Sequence, residues 1–280
     1  MTGRVLTVAE SDATGSAGIQ ADIKTILALG GYATTAISGV LVQNTKGIIR
    51  ACPMDPDFVA EQMRVVLDDI GTDAIKIGYL MNEAMINAVA DVLDENLDKK
   101  YPIIVDPSIV TRNGQVLVDE PAIAAWKRRL YVRASVLTPN LREAEVLTGM
   151  HIRDIDDMRH AADMMRTLGA AHVVLKAGQA ASGKAVYFIA DDEEELVYER
   201  PMIDTTHTLG AGCTLSAAIA ISIAQGMKVS DAVARSLDFM HQAMLNAPGF
   251  GETAGPMNHA FDIEKHSSFF HPETIKAHKG

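Results

Sequence analysis

The chain of 280 residues is 48% hydrophobic, 22% charged and 5% aromatic, enough apolar surface for one large core, which excludes a disulfide scaffold and a disordered chain. Its 25 Lys and Arg against 36 Asp and Glu leave a formal charge of −11, so the overall field repels nucleic-acid backbones and acidic membranes, and an anionic ligand needs a locally positive site. With Cys52 and Cys213 as its only cysteines, no apolar signal region and no apolar run near the ~20 residues a bilayer demands, the sequence reads as a cytosolic protein with reduced thiols.

In chain order, residues 5–9 read as a short buried strand and 10–18 as a loop of small residues; the spacing of Ile19, Ile23, Ile26 and Leu27 then predicts a helix. Strand and helix go on alternating: a strand at 33–40, a helix at 56–70 started by Asp55, a strand at 74–77, a helix at 81–97, and a strand at 103–105 that ends at Asp106 before Pro107. A polar stretch, 111–115, precedes a helix at 122–130, a strand at 135–137 and a helix at 142–147. Residues 157–168 follow as a helix, 172–175 as a strand, and 186–189 with 196–198 as a hairpin around the acidic run 191–195. Helices at 214–224 and 229–245 close the pattern. Such alternation predicts an α/β fold, a mostly parallel sheet covered on both faces. No linker or repeat interrupts it, so we expect a single domain over 1–280, with a core at 5–245 and a tail docked through Phe261, Phe269 and Phe270. The scattered histidines lack ligand spacing and predict no metal site.

Ligands of such sheets bind beyond the carboxyl ends of the strands, and the chemically informative residues follow strands. Gly210-Ala211-Gly212-Cys213 opens an apolar helix, and glycines at a helix N-terminus form a nest for an anion such as phosphate. The bland alternative is a tight turn with Cys213 as a small buried hydrophobe. The helix dipole is expected to lower the Cys213 pKa and suit it to taking a hydroxyl proton. Asn140 and Glu143 have the spacing of a capping box, and the same Glu143 suits a carboxylate that holds Mg²⁺ through water. Asp106 is a second metal candidate or a turn-starting acid. Asp22 and Gln43 offer an acid and an amide able to read a heterocycle, and Lys176 either neutralises a phosphate or snorkels at the surface.

The segment 9–25, Gln43-Asn44-Thr45, Lys76-Ile77-Gly78, Asp106-Pro107, Thr138-Pro139-Asn140-Leu141-Arg142-Glu143 and Gly210-Ala211-Gly212-Cys213 resemble the hydroxymethylpyrimidine/phosphomethylpyrimidine kinases of thiamine biosynthesis, a branch of the ribokinase superfamily. The resemblance implies a three-layer α/β/α ribokinase-like fold, ATP as cosubstrate with Mg²⁺, and a homodimer. It implies γ-phosphoryl transfer to the hydroxyl of a pyrimidine alcohol and then to the monophosphate. By position Ala17, Asp22 and Gln43 match pyrimidine-pocket residues, and Gly210, Ala211 and Gly212 match the anion hole. Cys213 matches the residue that activates the hydroxyl, Asn140 and Glu143 a Mg²⁺-linked motif, Lys176 a phosphate contact, and 110–116 a mobile loop.

Four departures stand out: Glu10 where the family usually has Gly, Tyr79 for Met, Lys176-Ala177-Gly178-Gln179 for Lys-Gly-Gly-His, and Leu209 for His. Glu10 and Tyr79 fall on the acceptor side. A carboxylate at position 10 either accepts a hydrogen bond from an exocyclic amine or takes up volume and repels a phosphate. Two alternatives remain: a pyridoxal-type kinase, against which Gln43 speaks, and a non-catalytic pyrimidine-binding paralogue, against which the anion hole and Glu143 speak.

Overall fold

A computed structural model describes residues 2–111, 114–179, 183–191 and 194–262. Its strands are β1 (Arg4–Asp12), β2 (Tyr32–Asn44), β3 (Gly47–Pro53), β4 (Ala74–Ile77), β5 (Ile103–Val105), β6 (Val136–Leu137), β7 (His172–Gln179), β8 (Lys184–Ala190) and β9 (Glu195–Pro201). Its helices are α1 (Gly18–Ala28), α2 (Pro56–Asp69), α3 (Glu83–Glu95), α4 (Glu120–Ala125), α5 (Leu141–Thr148), α6 (Ile155–Thr167), α7 (Ala211–Ala224) and α8 (Val229–Leu245).

All nine strands form one sheet in the order β3-β2-β1-β4-β5-β6-β7-β8-β9. The six from β2 to β7 run parallel, while β3, β8 and β9 pair antiparallel. Val5, Leu6, Val8 and Ala9 of β1 and all four residues of β4 are buried, as expected where helices cover both faces of a parallel sheet. One face carries α2 to α6, through residues such as Val59, Met85, Ala144 and Ala162. The other carries α1, α7 and α8, through Ile26, Leu215 and Val233. Helix α7 is buried nearly all round, which explains its apolar, unsided composition. Short polar side chains set the helix starts: Asp55 accepts from the N–H groups of Asp57 and Phe58, and Asn82 from that of Met85.

The chain leaves β1 toward β2 on one side and adds β4 and β5 on the other. The carboxyl ends of β1 and β4 therefore flank a topological switch point, where a crevice must open. Several boundaries differ from the sequence expectation. β3 was unexpected because its seven residues are all exposed and show no alternation. Helix α4 stops at Ala125 and continues as a π-helical stretch, Trp126–Leu130, and α7 starts at Ala211 rather than 214. Of the docking tail, Phe261 packs on Phe239 with ring centroids 5.4 Å apart. Phe269 and Phe270 lie outside the described residues, as do Arg112 and Asn113 of the expected mobile loop and residues 192–193 of the acidic run. Among the described residues no helix is long and apolar enough to cross a membrane.

Candidate active site

Beyond the switch point the β1–α1 loop is shaped by Asp12. Its Oδ2 accepts from the N–H groups of Ser16 (3.1 Å) and Ala17 (2.9 Å) and from the Thr14 hydroxyl (2.6 Å), which fixes Ala17 as the residue just before α1. Across from this loop stands the turn into α7. Gly210 has φ +85°, and a Cβ there would come within 1.7 Å of the Ser16 carbonyl oxygen, so no larger residue fits. A Cβ on Gly212 would lie 3.3 Å from both the Asp106 carboxylate and the Lys176 ammonium. The positive end of α7 and Lys176 thus converge on one spot, the arrangement a phosphate requires.

Lys176 is no snorkelling surface residue: its ammonium donates to Asp106 Oδ1 at 3.0 Å, with Lys176 mostly and Asp106 almost wholly buried. Asp106 also accepts from the hydroxyls of Thr138 (3.2 Å), Ser108 (3.3 Å) and Ser216 (3.4 Å). Burial alone would raise its pKa, but Lys176 and Lys76 outweigh it and hold the carboxyl below the usual range. Asn140 and Glu143 form the capping box in full, each side chain accepting from the other's N–H at 2.9 Å. Glu143 is buried, and burial pushes it up to about 7 against the pull of Lys176.

Asp22 does not present a free carboxylate. It pairs with Lys76 at 2.9 and 3.0 Å, both side chains fully inaccessible. Burial lifts Asp22 to about 6 despite Lys76, and burial would loosen the Lys76 proton, yet Asp22, Cys213 and Asp106 hold it more firmly than in a free lysine. The pair is ionised at neutral pH. Lys76 is the site residue that sequence reasoning passed over, although a lysine inside the apolar strand Ala74–Ile77 is a signal, because a charge there must have a buried partner.

Cys213 is 9% exposed. The expected lowering of its pKa is overturned: burial pushes the thiol well above its ordinary value, Lys76 pulls it down, and Glu10, Asp22 and Asp106 add to the rise. Glu10 is 5% exposed and its Oε2 has no hydrogen-bond partner. Burial lifts it to about 8, with Lys76 opposing and Asp22 and Asp12 adding. Tyr79 is buried nearby, its hydroxyl donating to the Leu117 carbonyl at 3.4 Å, and both burial and Glu10 raise its pKa. Gln43 sits farther out on β2, lining a cleft with Thr14, Thr45, Lys46, Gly251 and Glu252.

Among the described residues no three His, Cys, Asp or Glu side chains gather as a protein-only metal cage. Mg²⁺ that arrives with nucleotide phosphates needs only one or two carboxylates and water. Asp106 and Glu143, acting on each other and both on Lys176, fit that demand, and Glu143, pushed up by burial, would gain a cation.

A sequence model of the phosphomethylpyrimidine kinase family matches residues 12–258. The thiamine biosynthesis bifunctional protein of Geobacter sulfurreducens is 39% identical over 262 residues, 94% of this chain and 53% of that one, so the chain spans about half of that relative. The hydroxymethylpyrimidine/phosphomethylpyrimidine kinase of Bacillus subtilis is 37% identical over 257 residues, 91% of this chain and 94% of its own. Among solved structures, an ADP complex of Bacillus subtilis pyridoxal kinase superposes with a TM-score of 0.85 at 34% identity, covering 93% of this chain and 98% of that one.

Proposed function

The chain belongs to the phosphomethylpyrimidine kinase family, and from that membership we propose that it transfers the γ-phosphoryl group of ATP to 4-amino-5-hydroxymethyl-2-methylpyrimidine (HMP) and then to HMP phosphate, in thiamine biosynthesis. The observation that carries the reading is the convergence of Lys176 and the first turn of α7 beside Cys213 and Asp106. In the reaction the bond from the γ-phosphorus to the β,γ-bridging oxygen breaks and a bond to the acceptor oxygen forms. Lys176 and the N–H groups of the α7 turn stabilise the equatorial oxygens of the group in flight. In the transfer to the alcohol the acceptor proton passes to Cys213 once the thiol has given up its own proton to solvent, forming a thiolate that the Lys76 ammonium favours and burial opposes.

Mg²⁺, when bound with ATP, neutralises charge on the phosphates. Its need follows from the local balance: Lys76 and Lys176 are matched by Asp22 and Asp106, which leaves little positive charge for a nucleotide. Asp106 and Glu143 would hold the ion, Glu143 beside its part in the capping box that Asn140 starts. We also propose a single kinase domain, a homodimer built on the exposed β2–β3 hairpin, and residence in the cytosol, where ATP is plentiful and Cys52 and Cys213 stay reduced.

The likeness to a pyridoxal kinase supports pyridoxal as a second acceptor. Release of ADP from Mg-ATP on adding HMP, HMP phosphate or pyridoxal tests the reading. Turnover of HMP above pyridoxal is expected, and no release with either pyrimidine would overturn it.

A further inference from the structure

The buried carboxylates of the site are matched, with one exception. Asp22 and Asp106 each hold a lysine, Asp12 the loop amides, and Glu143 the Asn140 N–H. Glu10 Oε2 meets no donor, although the side chain is 95% shielded from solvent. Its other oxygen lies against Gly18, where a Cβ would come within 2.9 Å of Oε1 and 2.2 Å of the Glu10 carbonyl; Gly18 itself has φ +53°. The close approach of β1 to the first residue of α1, backbone first and then the Glu10 side chain, therefore leaves no room for a Cβ there. Its surroundings are Lys76 from β4, Asp22 from α1, Asp12 on its own strand, Tyr79 just past β4 and Cys213 from α7. Lys76 is already taken by Asp22.

A buried carboxyl without its own cation keeps its proton, and that of Glu10 stays on until about pH 8. The neutral acid presents an O–H donor and a C=O acceptor side by side, whereas the carboxylate only accepts. A ring nitrogen next to an exocyclic amine presents the complementary pair.

We propose that Glu10 is a specificity-determining residue: its neutral carboxyl pairs with the amidine edge of an aminopyrimidine acceptor, donating to the ring nitrogen and accepting from the amine. The inference rests on the acceptor assigned above. A pyridine acceptor with a hydroxyl and an aldehyde, such as pyridoxal, has no amine beside its ring nitrogen and leaves one Glu10 oxygen unpaired, the mismatch on which polar sites discriminate most sharply.

Calorimetric titration of HMP and of pyridoxal into wild type, Glu10→Gln and Glu10→Ala separates the possibilities. The glutamine amide also carries one donor and one acceptor but does not ionise. Glu10→Gln should keep HMP affinity within about threefold and hold it level from pH 7 to 9, while wild type weakens over that range as the acid ionises. Glu10→Ala should weaken HMP by about 10- to 100-fold, as loss of a buried hydrogen-bonded pair does, and weaken pyridoxal far less. Equal HMP affinity in all three proteins, tighter HMP binding by Glu10→Ala, an equal loss for both ligands, or a Glu10→Gln loss as large as that of Glu10→Ala would overturn the role of Glu10 alone. A wild type that binds pyridoxal and not HMP would overturn the acceptor assignment together with it.

Discussion

Cys213 and Lys76 act on each other electrostatically, and the most consequential opposition in the molecule lies between that attraction and burial. Burial keeps the thiol protonated while the ammonium pulls toward the thiolate. If the thiolate takes the acceptor proton, Cys213→Ala should lower kcat by about 10² to 10⁴, the worth of a positioned base, with nucleotide affinity unchanged by calorimetry. Lys76→Met strands Asp22 as a buried, unpaired charge and should destabilise the protein by about 3 to 5 kcal/mol in denaturant titration. The double variant Lys76→Met/Asp22→Leu replaces the pair with apolar groups and should recover most of that stability. Its kcat should stay low, because nothing then favours the thiolate; full recovery of kcat would mean that the pair only fills space. Cys213 was legible in the sequence from its helix turn, but the direction of its pKa was not, because the dipole of α7 is local while the burial that outweighs it is assembled by the whole fold. Lys76 and Glu10 show the same divide. Their positions, Lys76 within β4 and Glu10 near the carboxyl end of β1, are read from sequence, and their partners, 54 residues away for Lys76 and absent for Glu10 Oε2, are not.

The first turn of α7 is held from outside by the chain that follows α8. Leu209 bridges to Pro256, the Asn258 N–H donates to the Ala243 carbonyl at 3.0 Å, and His259 Nε2 meets the Thr214 hydroxyl at 2.8 Å. His259 is buried, and burial, aided by Lys24, lowers its pKa to about 4. An unfolded chain takes up this proton near pH 6.5 and the folded one only near 4, so the stability the neutral ring contributes is present above 6.5 and lost as pH falls through about 4. Wild type should therefore lose more in melting temperature between pH 7 and 4.5 than His259→Gln, whose amide can hold Thr214 without titrating; parallel losses would exclude the clamp. No spacing in the sequence announces this contact. Strands β1, β4 and β5 were legible because burial on both faces makes them mostly apolar, broken only by Thr7 in the buried half of β1 and by Lys76 in β4. β3 was not, because an exposed edge strand selects for neither alternation nor a run.

At the scale of the whole molecule the sheet has one edge that invites a partner. β3 is exposed along its length, and with the end of β2 it shows Val40, Val42, Ile48 and Ile49, the last 68% exposed. An open edge strand with an apolar face favours pairing or aggregation unless it is covered. A second copy of this chain offers the same self-complementary surface under two-fold symmetry, and a formal charge of −11 keeps more distant surfaces apart. The hairpin also carries Gln43, which lines its cleft with Thr14 and Gly251, so covering it would steady one wall of that cleft, which we assign to the acceptor. Ile49→Glu places a charge at the most exposed apolar side chain of that hairpin. Sedimentation velocity should show wild type as a dimer and Ile49→Glu as a monomer with unchanged far-UV circular dichroism. In the monomer the KM for HMP should rise while that for ATP, which we assign to the opposite strands with Lys176 and Glu143, stays level. A monomeric wild type would remove the dimer, and a rise in both KM values would show that the hairpin supports the fold rather than the acceptor.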